Sequence, residues 1–148
     1  MGKGLAGKWV FDSNLLVYAL DETSPFYRQT RELFSDILKL KLEGVVAQQN
    51  ILEAEHVLIS KLGQREKEVV TAIENLLAGF RFGIIGPLSN TWKTYHLLVE
   101  RSMSGVDLFD HYLAATLIDN KVPRLLTLNA KDFKHIYGLE VINPLVSP

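Results

Sequence analysis

The segment KWVFDSN, residues 8–14, contains the pattern that predicts the fold. KWVF (8–11) is a short apolar run typical of a β-strand, and Asp12, Ser13 and Asn14 have side chains that start helices. A short apolar run followed by a helical pattern recurs along the rest of the chain. This alternation predicts an α/β domain with helices on both faces of a mainly parallel sheet.

Four further strands and six helical segments follow. We predict the strands at 45–47, 81–85, 124–128 and 139–142. Ser24 and Pro25 are typical of a helix N-cap and first turn, and predict a helix that ends at about Gly44. Ser89 is predicted to cap a helix that runs to about Met103. The other helices are predicted at 48–62, 64–78, 107–120 and, as one short turn, 129–133.

Length and composition predict a single intracellular domain spanning residues 1–148. The 148 residues are 47% hydrophobic and 22% charged, which suits one globular core. The absence of cysteine excludes disulfides, zinc ribbons and cysteine nucleophiles. No apolar run approaches the ~20 residues of a membrane span, and no signal-peptide pattern opens the chain, so we expect a cytoplasmic location. The net charge of −1 disfavours nucleic-acid binding by bulk charge alone.

Carboxylates follow the predicted strands, where a parallel sheet binds its ligands. Clustered carboxylates stay ionised at neutral pH only if a cation offsets their repulsion, and hard oxygen donors suit Mg²⁺ or Mn²⁺. Such ions activate water and stabilise a phosphodiester transition state. The sequence therefore suggests a metal site, whose candidate residues are Asp12, Glu53, Glu55, Asp107, Asp110, Asn129 and Asp132.

Most of these residues also have a purely structural interpretation. Asp12 is equally compatible with a helix cap, and Asn129 and Asp132 with caps of the short turn at 129–133. For Asp107 we favour the capping role, with Asp110 as the stronger functional candidate. On a helical wheel, Glu55 falls within the apolar stripe of its helix and Glu53 lies off it. Periodicity alone therefore favours Glu55 as the inward-facing residue.

Four segments, taken in order, resemble the motifs of the PIN-domain family, and most of all its VapC-like ribonuclease toxins. The resemblance covers essentially the whole chain and implies a PIN-like three-layer α/β/α fold with about five strands. The segments are VFDSNLLVYAL (10–20), VVAQQNILEAEHVL (45–58), LFDHYLAATLIDN (108–120) and LLTLNAKDF (125–133). One departure is Ala47, where the family usually has Ser.

The resemblance implies which residues form the site. It assigns the metal-binding and catalytic acids to Asp12, Glu53, Asp110 and Asp132, with Asn14, Thr127 and Asn129 in support. The spacing from Gln49 matches the family at Glu53, against the preference of the wheel for Glu55. Some family members carry Asp where this chain has Asn129, so the fourth ligand is either Asn129 or Asp132.

The function implied by the resemblance is that of a Mg²⁺- or Mn²⁺-dependent endoribonuclease, the toxin of a type II toxin–antitoxin pair. A cognate antitoxin and a homodimer are the expected protein partners, and RNA is the expected substrate. Aromatic residues on two predicted helices, among them Phe26 and Trp92, are candidate anchors for a partner helix or, equally, parts of the core. An apolar groove is expected to stay exposed beside Glu53 and Asp110.

Other functions fit the sequence less well. A haloacid-dehalogenase-like phosphatase needs a second Asp where this chain has Asn14, and a dinucleotide-binding fold needs a Gly-rich loop after the first strand. A catalytically inactive PIN-like binding module is the main alternative, although all four acids are present. The four histidines have no ligand spacing and are interpreted as surface or packing residues; of these, only His111, beside Asp110, is of further interest.

Overall fold

The computed structural model describes residues 4–103, 105 and 107–148. Within them the chain forms a five-stranded sheet in which every neighbouring pair is parallel, in the order β3-β2-β1-β4-β5. The strands are β1 (Lys8–Phe11), β2 (Glu43–Ala47), β3 (Gly83–Ile85), β4 (Arg124–Leu126) and β5 (Glu140–Ile142). The helices are α1 (Ser13–Leu20), α2 (Tyr27–Leu38), α3 (Gln48–Ser60), α4 (Glu66–Gly79), α5 (Thr91–Glu100), α6 (Leu108–Asp119) and α7 (Ala130–Phe133).

The sheet is buried on both faces, as a central parallel sheet requires. Successive side chains of β1 alternate between two separate cores, with Trp9 and Phe11 in one and Val10 in the other. The first core is completed by α1, α2, α3 and α4, and the second by α5, α6 and α7. The predicted three-layer α/β/α architecture is therefore confirmed.

The strand order reverses at β1, and this reversal positions the candidate site. The chain first builds outward from β1 through β2 to β3, then crosses over to place β4 on the other side of β1. The crossover opens a crevice beyond the carboxyl ends of β1 and β4, which is where α/β sheets bind ligands. Asp12 and Thr127 directly follow these two strands, and Asp12 N donates a hydrogen bond to Leu126 O across them (3.0 Å).

The prediction of a helix from Ser24 to Gly44 is wrong at both ends. Ser24 Oγ accepts a hydrogen bond from Phe26 N in a turn that precedes α2, and the helix itself begins at Tyr27. It ends at Leu38 because Leu40 adopts a left-handed conformation with φ 60°. Gly44 lies in β2, where a Cβ atom would approach Ile37 Cδ1 to 2.7 Å. This glycine therefore allows close packing of α2 on the sheet and does not stop the helix.

The prediction that Ser89 caps α5 is also wrong. The helix begins at Thr91 and ends at Glu100, before the predicted limit of Met103, and the Asn90 side chain at the N-cap forms no capping bond. Thr91 instead connects the start of α5 to the preceding loop and to α6, because its hydroxyl accepts from Leu88 N (2.8 Å) and donates to Asp119 (2.7 Å) on α6. The helices α3, α4, α6 and α7 and the strands β2 to β5 match their predicted positions to within a few residues.

No helix among residues 4–103, 105 and 107–148 is long and apolar enough to cross a membrane.

Candidate metal centre

A cavity of about 440 Å³ lies at the crevice beyond β1 and β4. All four carboxylates that the family resemblance selects line it, each from a different element: Asp12, Glu53, Asp110 and Asp132. Two of the three supporting residues, Asn14 and Asn129, line it as well, whereas Thr127 is fully buried behind it. The fold thus brings together residues that are up to 120 positions apart in the sequence.

Asp12 is buried and is held by three hydrogen bonds. Its Oδ1 accepts from the backbone N of Ser13 (2.8 Å) and from Asn50 Nδ2 (3.2 Å), and its Oδ2 accepts from Thr127 Oγ1 (2.7 Å). Burial raises the pKa of this carboxyl, and the hydrogen bonds oppose that rise. Asp12 is the N-cap residue of α1, so its helix-capping role and its place in the cavity coexist.

Thr127 connects the supporting residues to Asp12. Its hydroxyl oxygen accepts from Asn14 Nδ2 (3.0 Å) and from the backbone N of Asn129 (3.0 Å) while its hydrogen goes to Asp12. A hydroxyl has one hydrogen, so this arrangement uses it fully on the carboxylate. Asn14 and the backbone of Asn129 therefore hold the Thr127 hydroxyl in place, and this hydroxyl orients Asp12.

Glu53, on α3, faces the cavity with both carboxylate oxygens in contact with polar neighbours. Oε1 accepts from Gln49 Nε2 (2.8 Å), and Oε2 lies 3.5 Å from the Ser13 hydroxyl. Burial raises the pKa of Glu53, and the charges of Asp12 and Asp107 add to the rise.

Glu55 lies outside this site, contrary to the helical-wheel preference. It lines a larger cavity of about 580 Å³ between α3 and α4, where burial and the charge of Glu74 raise its pKa. The fully buried stripe of α3 is formed by Asn50, Ala54 and Leu58. Glu53 and Glu55 flank this stripe on opposite sides, which separates them by one helix width.

Asp110 also has a strongly raised pKa. It lies in the first turn of α6, and its pKa is raised to about 7 from an ordinary value of 3.8. Burial is the largest cause, followed by the charges of Asp107, Asp12, Asp132 and Glu53. The negative charges around the cavity therefore oppose one another, as the sequence suggested.

Asp107 caps α6, as predicted. Its carboxylate accepts hydrogen bonds from the backbone N of Phe109 (2.8 Å) and of Asp110 (3.2 Å). After burial, the negative charge of Asp107 is also the largest cause of the raised pKa of Asp110.

Replacing Asp107 by Asn is expected to lower the pKa of Asp110 while preserving the helix. Asn caps helices as well as Asp does, but it removes the neighbouring charge. NMR titration of the Asp110 carboxyl in wild type and Asp107→Asn measures this difference. An unchanged or higher pKa would show that Asp107 does not influence Asp110.

Two residues are placed for the fourth ligand position, Asn129 just before α7 and Asp132 within it. Asp132 and Asn129 are both exposed and both line the cavity. Asn129 occupies the N-cap position of α7, but its side chain forms no capping hydrogen bond there. The interpretation of Asn129 as a side-chain cap is therefore wrong.

Sequence reasoning missed Asn50, which is fully buried beside the site. Its Oδ1 accepts from Ala47 N (2.9 Å), and its Nδ2 donates to Asp12. The asparagine thus ties the end of β2 to the carboxylate at the end of β1. A polar residue at the third position of the helix after a strand was the available signal.

The histidines remain outside the site, as interpreted from the sequence. His111 is buried next to Asp110, but its Nδ1 pairs with the backbone O of Asp107 (2.8 Å). None of the four lines the acidic cavity within the described residues.

The donor set fits a hard divalent cation in chemistry. Its groups are carboxylates and amides, and Asn14 Oδ1 is a buried acceptor with no hydrogen-bond partner among the described residues. The side chains are not yet in positions to bind an ion together: over residues 4–103, 105 and 107–148, no three His, Asp or Glu side chains are close enough to hold one ion. Binding of one ion by three of these side chains would therefore require their rotation toward it.

Solved structures of toxin–antitoxin complexes share the fold. One is VapBC2 from Rickettsia felis bound to a DNA fragment from their promoter (18% identity, 92% of this chain and 98% of that one, TM-score 0.66). Another is a toxin–antitoxin complex from Klebsiella pneumoniae (22% identity, 93% of this chain and 98% of that one, TM-score 0.62). A third is VapBC-1 from nontypeable Haemophilus influenzae (16% identity, 93% of this chain and 98% of that one, TM-score 0.64). No family model and no curated protein sequence matches the chain. At these identities the likeness establishes the PIN-like fold.

Proposed function

We propose that this protein is a Mg²⁺- or Mn²⁺-dependent endoribonuclease and the toxin of a type II toxin–antitoxin pair. The observation that carries the proposal is the convergence of four carboxylates from four elements on one cavity at the strand-order reversal. The fold shared with chains of toxin–antitoxin complexes supports the same function. RNA phosphodiester bonds are the proposed target.

The side chains have distinct proposed roles. Asp12, Glu53 and Asp110, with Asp132 or Asn129, would hold the ion, which supplies charge neutralisation and water activation when bound. Thr127 and Asn50 orient Asp12, and Gln49 orients Glu53, through the hydrogen bonds described above. Orientation by neighbouring donors fixes ligand positions in metal sites generally.

One observation favours an inactive binding module as the second candidate. No three of the described acidic side chains are close enough to hold an ion in their present positions. The two candidates differ in a single measurable property, because only the nuclease consumes RNA.

Cleavage of single-stranded RNA by the purified chain tests the proposal. We expect cleavage with Mg²⁺ or Mn²⁺, none with a chelator, and loss of at least about a hundredfold in rate for Asp12→Asn. Asn still caps α1, so circular dichroism of the variant should match wild type. Cleavage that survives either the chelator or Asp12→Asn would contradict the metal-centre mechanism. A wild-type chain that cleaves no RNA in either metal would favour the inactive module.

An exposed apolar groove supports a protein partner. A groove of about 410 Å³ lies beside Glu53, lined among others by Pro87 and Tyr112. Leu52 and Phe109 on its walls are 66% and 74% exposed, which is costly for an isolated chain. We propose the cognate antitoxin as a partner because the solved complexes of the same fold pair a toxin with an antitoxin.

The candidate anchor residues divide into two groups. Phe26 is partly buried and packs on the first core, so it completes the interior. Trp92 is 63% exposed and stacks on Tyr95 at a ring-centroid distance of 5.2 Å. Of Phe26 and Trp92, it is therefore Trp92 that is available as an anchor.

The isolated chain is expected to form a homodimer at micromolar concentration. Dimerisation would cover exposed apolar side chains that a monomer leaves in water. Size-exclusion chromatography with light scattering gives the mass directly and compares it with the 16.7 kDa of one chain. A monomer at all accessible concentrations would contradict the homodimer.

A further inference from the structure

The acidic cavity extends away from the four carboxylates, along a channel between α1 and α3. Both helices begin at the carboxyl edge of the sheet and pack against each other. The wall from α3 carries Glu53, Val57 and Lys61, which are spaced one helical turn apart. Eight residues of helix rise about 12 Å, so Lys61 lies well beyond the carboxylates. The opposite wall, from α1, is formed by Asn14, Val17, Tyr18 and Asp21.

Lys61 is the one basic residue among the described residues that line this cavity. Five carboxylates line it, the four of the candidate metal centre and Asp21. Lys61 is exposed and is the C-cap residue of α3, so its ammonium group is accessible to solvent. A polyanion that enters the cavity therefore meets a single positive side chain on its walls, and meets it at the far end.

Tyr18 supplies an aromatic ring on the opposite wall. The ring is partly buried and packs on Phe26, with a centroid distance of 5.2 Å and an interplanar angle of 39°. This contact limits the motion of a ring that also lines the cavity. A restrained aromatic ring and a cation on the walls of one cavity are the combination with which proteins bind single-stranded nucleic acids, by stacking on a base and pairing with a phosphate.

We propose that Tyr18 and Lys61 form a nucleotide subsite for single-stranded RNA. Tyr18 stacks on a base and Lys61 contacts a backbone phosphate, on the side of the scissile bond that points along α1 and α3. The inference rests on the proposed ribonuclease function and adds to it the residues that bind a nucleotide next to the scissile bond. A paired base cannot reach Tyr18 without leaving its stack, so the subsite selects unpaired RNA.

Two substitutions test the two contacts separately. Tyr18→Leu removes the ring, and Tyr18→Phe retains it without the hydroxyl. Lys61→Met removes the charge and keeps an unbranched side chain. Lys39→Met is the matched control, because Lys39 is likewise an exposed C-cap lysine, of α2, and does not line the acidic cavity.

The probe is a fluorescent pool of short random-sequence single-stranded RNA, used both for binding without metal and for cleavage with Mn²⁺. We expect Tyr18→Leu to weaken binding and raise KM by about tenfold to a hundredfold, with kcat little changed, and Tyr18→Phe to behave as wild type. For Lys61→Met we expect the slope of log affinity against log salt to become shallower by about 0.7, the value for one lost phosphate contact on a single strand. Lys39→Met should retain the wild-type slope.

The subsite is wrong if Tyr18→Leu binds RNA as tightly as wild type, or if Lys61→Met has the same salt slope as Lys39→Met. These outcomes are distinct from failure of the proposed function. A wild-type chain that binds RNA with the expected dependence on both residues, but cleaves none, would overturn the nuclease and retain the subsite. A chain that cleaves RNA while every variant behaves as wild type would overturn the subsite alone.

Discussion

Asp110→Asn is expected to stabilise the metal-free protein at neutral pH and to abolish both the Mn²⁺-induced rise in melting temperature and the cleavage of RNA. The carboxyl of Asp110 is penalised by its surroundings, which raise its pKa from 3.8 to about 7. An amide has no charge to desolvate and no charge for the neighbouring acids to repel. The same substitution removes a proposed ligand of the ion.

The direction of the pH dependence follows from the raised pKa. Below about pH 4 the carboxyl is protonated in both the folded and the unfolded chain, and its contribution is fully favourable to the folded state. As pH rises toward 7 the unfolded chain releases its proton first, so the free energy of unfolding falls. A pKa change of this size corresponds to about 4 kcal/mol for a fully buried group, and solvent screening reduces that figure here because Asp110 is only partly buried. Because several carboxylates share the effect, we expect Asp110→Asn to recover roughly 1–3 kcal/mol at pH 7.

Thermal melting of wild type and Asp110→Asn, with and without millimolar Mn²⁺, measures these effects. Binding to the folded state alone raises the wild-type melting temperature by mass action. Asp21→Asn is the control, because Asp21 lines the same cavity outside the proposed ligand set and should retain the Mn²⁺ response. A wild-type protein that does not respond to Mn²⁺, or an Asp110→Asn variant that responds fully, would contradict the site.

Glu53→Gln is expected to reduce RNA cleavage by at least about a hundredfold, whereas Glu55→Gln should retain activity. Glu53 faces the acidic cavity, and Glu55 faces the separate cavity between α3 and α4. The two substitutions are chemically identical, two positions apart on one helix, so each is the control for the other.

Metal-dependent cleavage rates of the two variants, with circular dichroism to verify folding, decide between the positions. Glutamine at 53 keeps an oxygen that can accept from Gln49, so the local hydrogen bond persists in the variant. The reverse result, activity lost at Glu55 and kept at Glu53, would show that the helical wheel identified the functional face of α3.

Local features of the sequence predicted most of the fold. The alternation of short apolar runs with helical patterns predicted a parallel sheet covered on both faces, and Asp12 was identified as the residue that follows the first strand. The helix ends were predicted less well, because they depend on contacts beyond the local sequence. Gly44 has the local signature of a helix stop, but its role is to let Ile37 and Phe82 pack closely on β2.

The sequence by itself determined the fold class, because side-chain periodicity is a local property of the chain. It also determined a set of acids at strand ends, because the carboxyl ends of parallel strands lie at one edge of the sheet. The tertiary structure decided which of these acids line one cavity, a point on which periodicity and the family resemblance had disagreed for Glu53 and Glu55. A helical wheel assumes one buried face, whereas α3 packs on α1 along one flank and on α4 along the other. That double packing places Glu53 in the cavity and Glu55 outside it. It also brings Lys61 and Tyr18, which are 43 positions apart in the sequence, to the walls of one cavity.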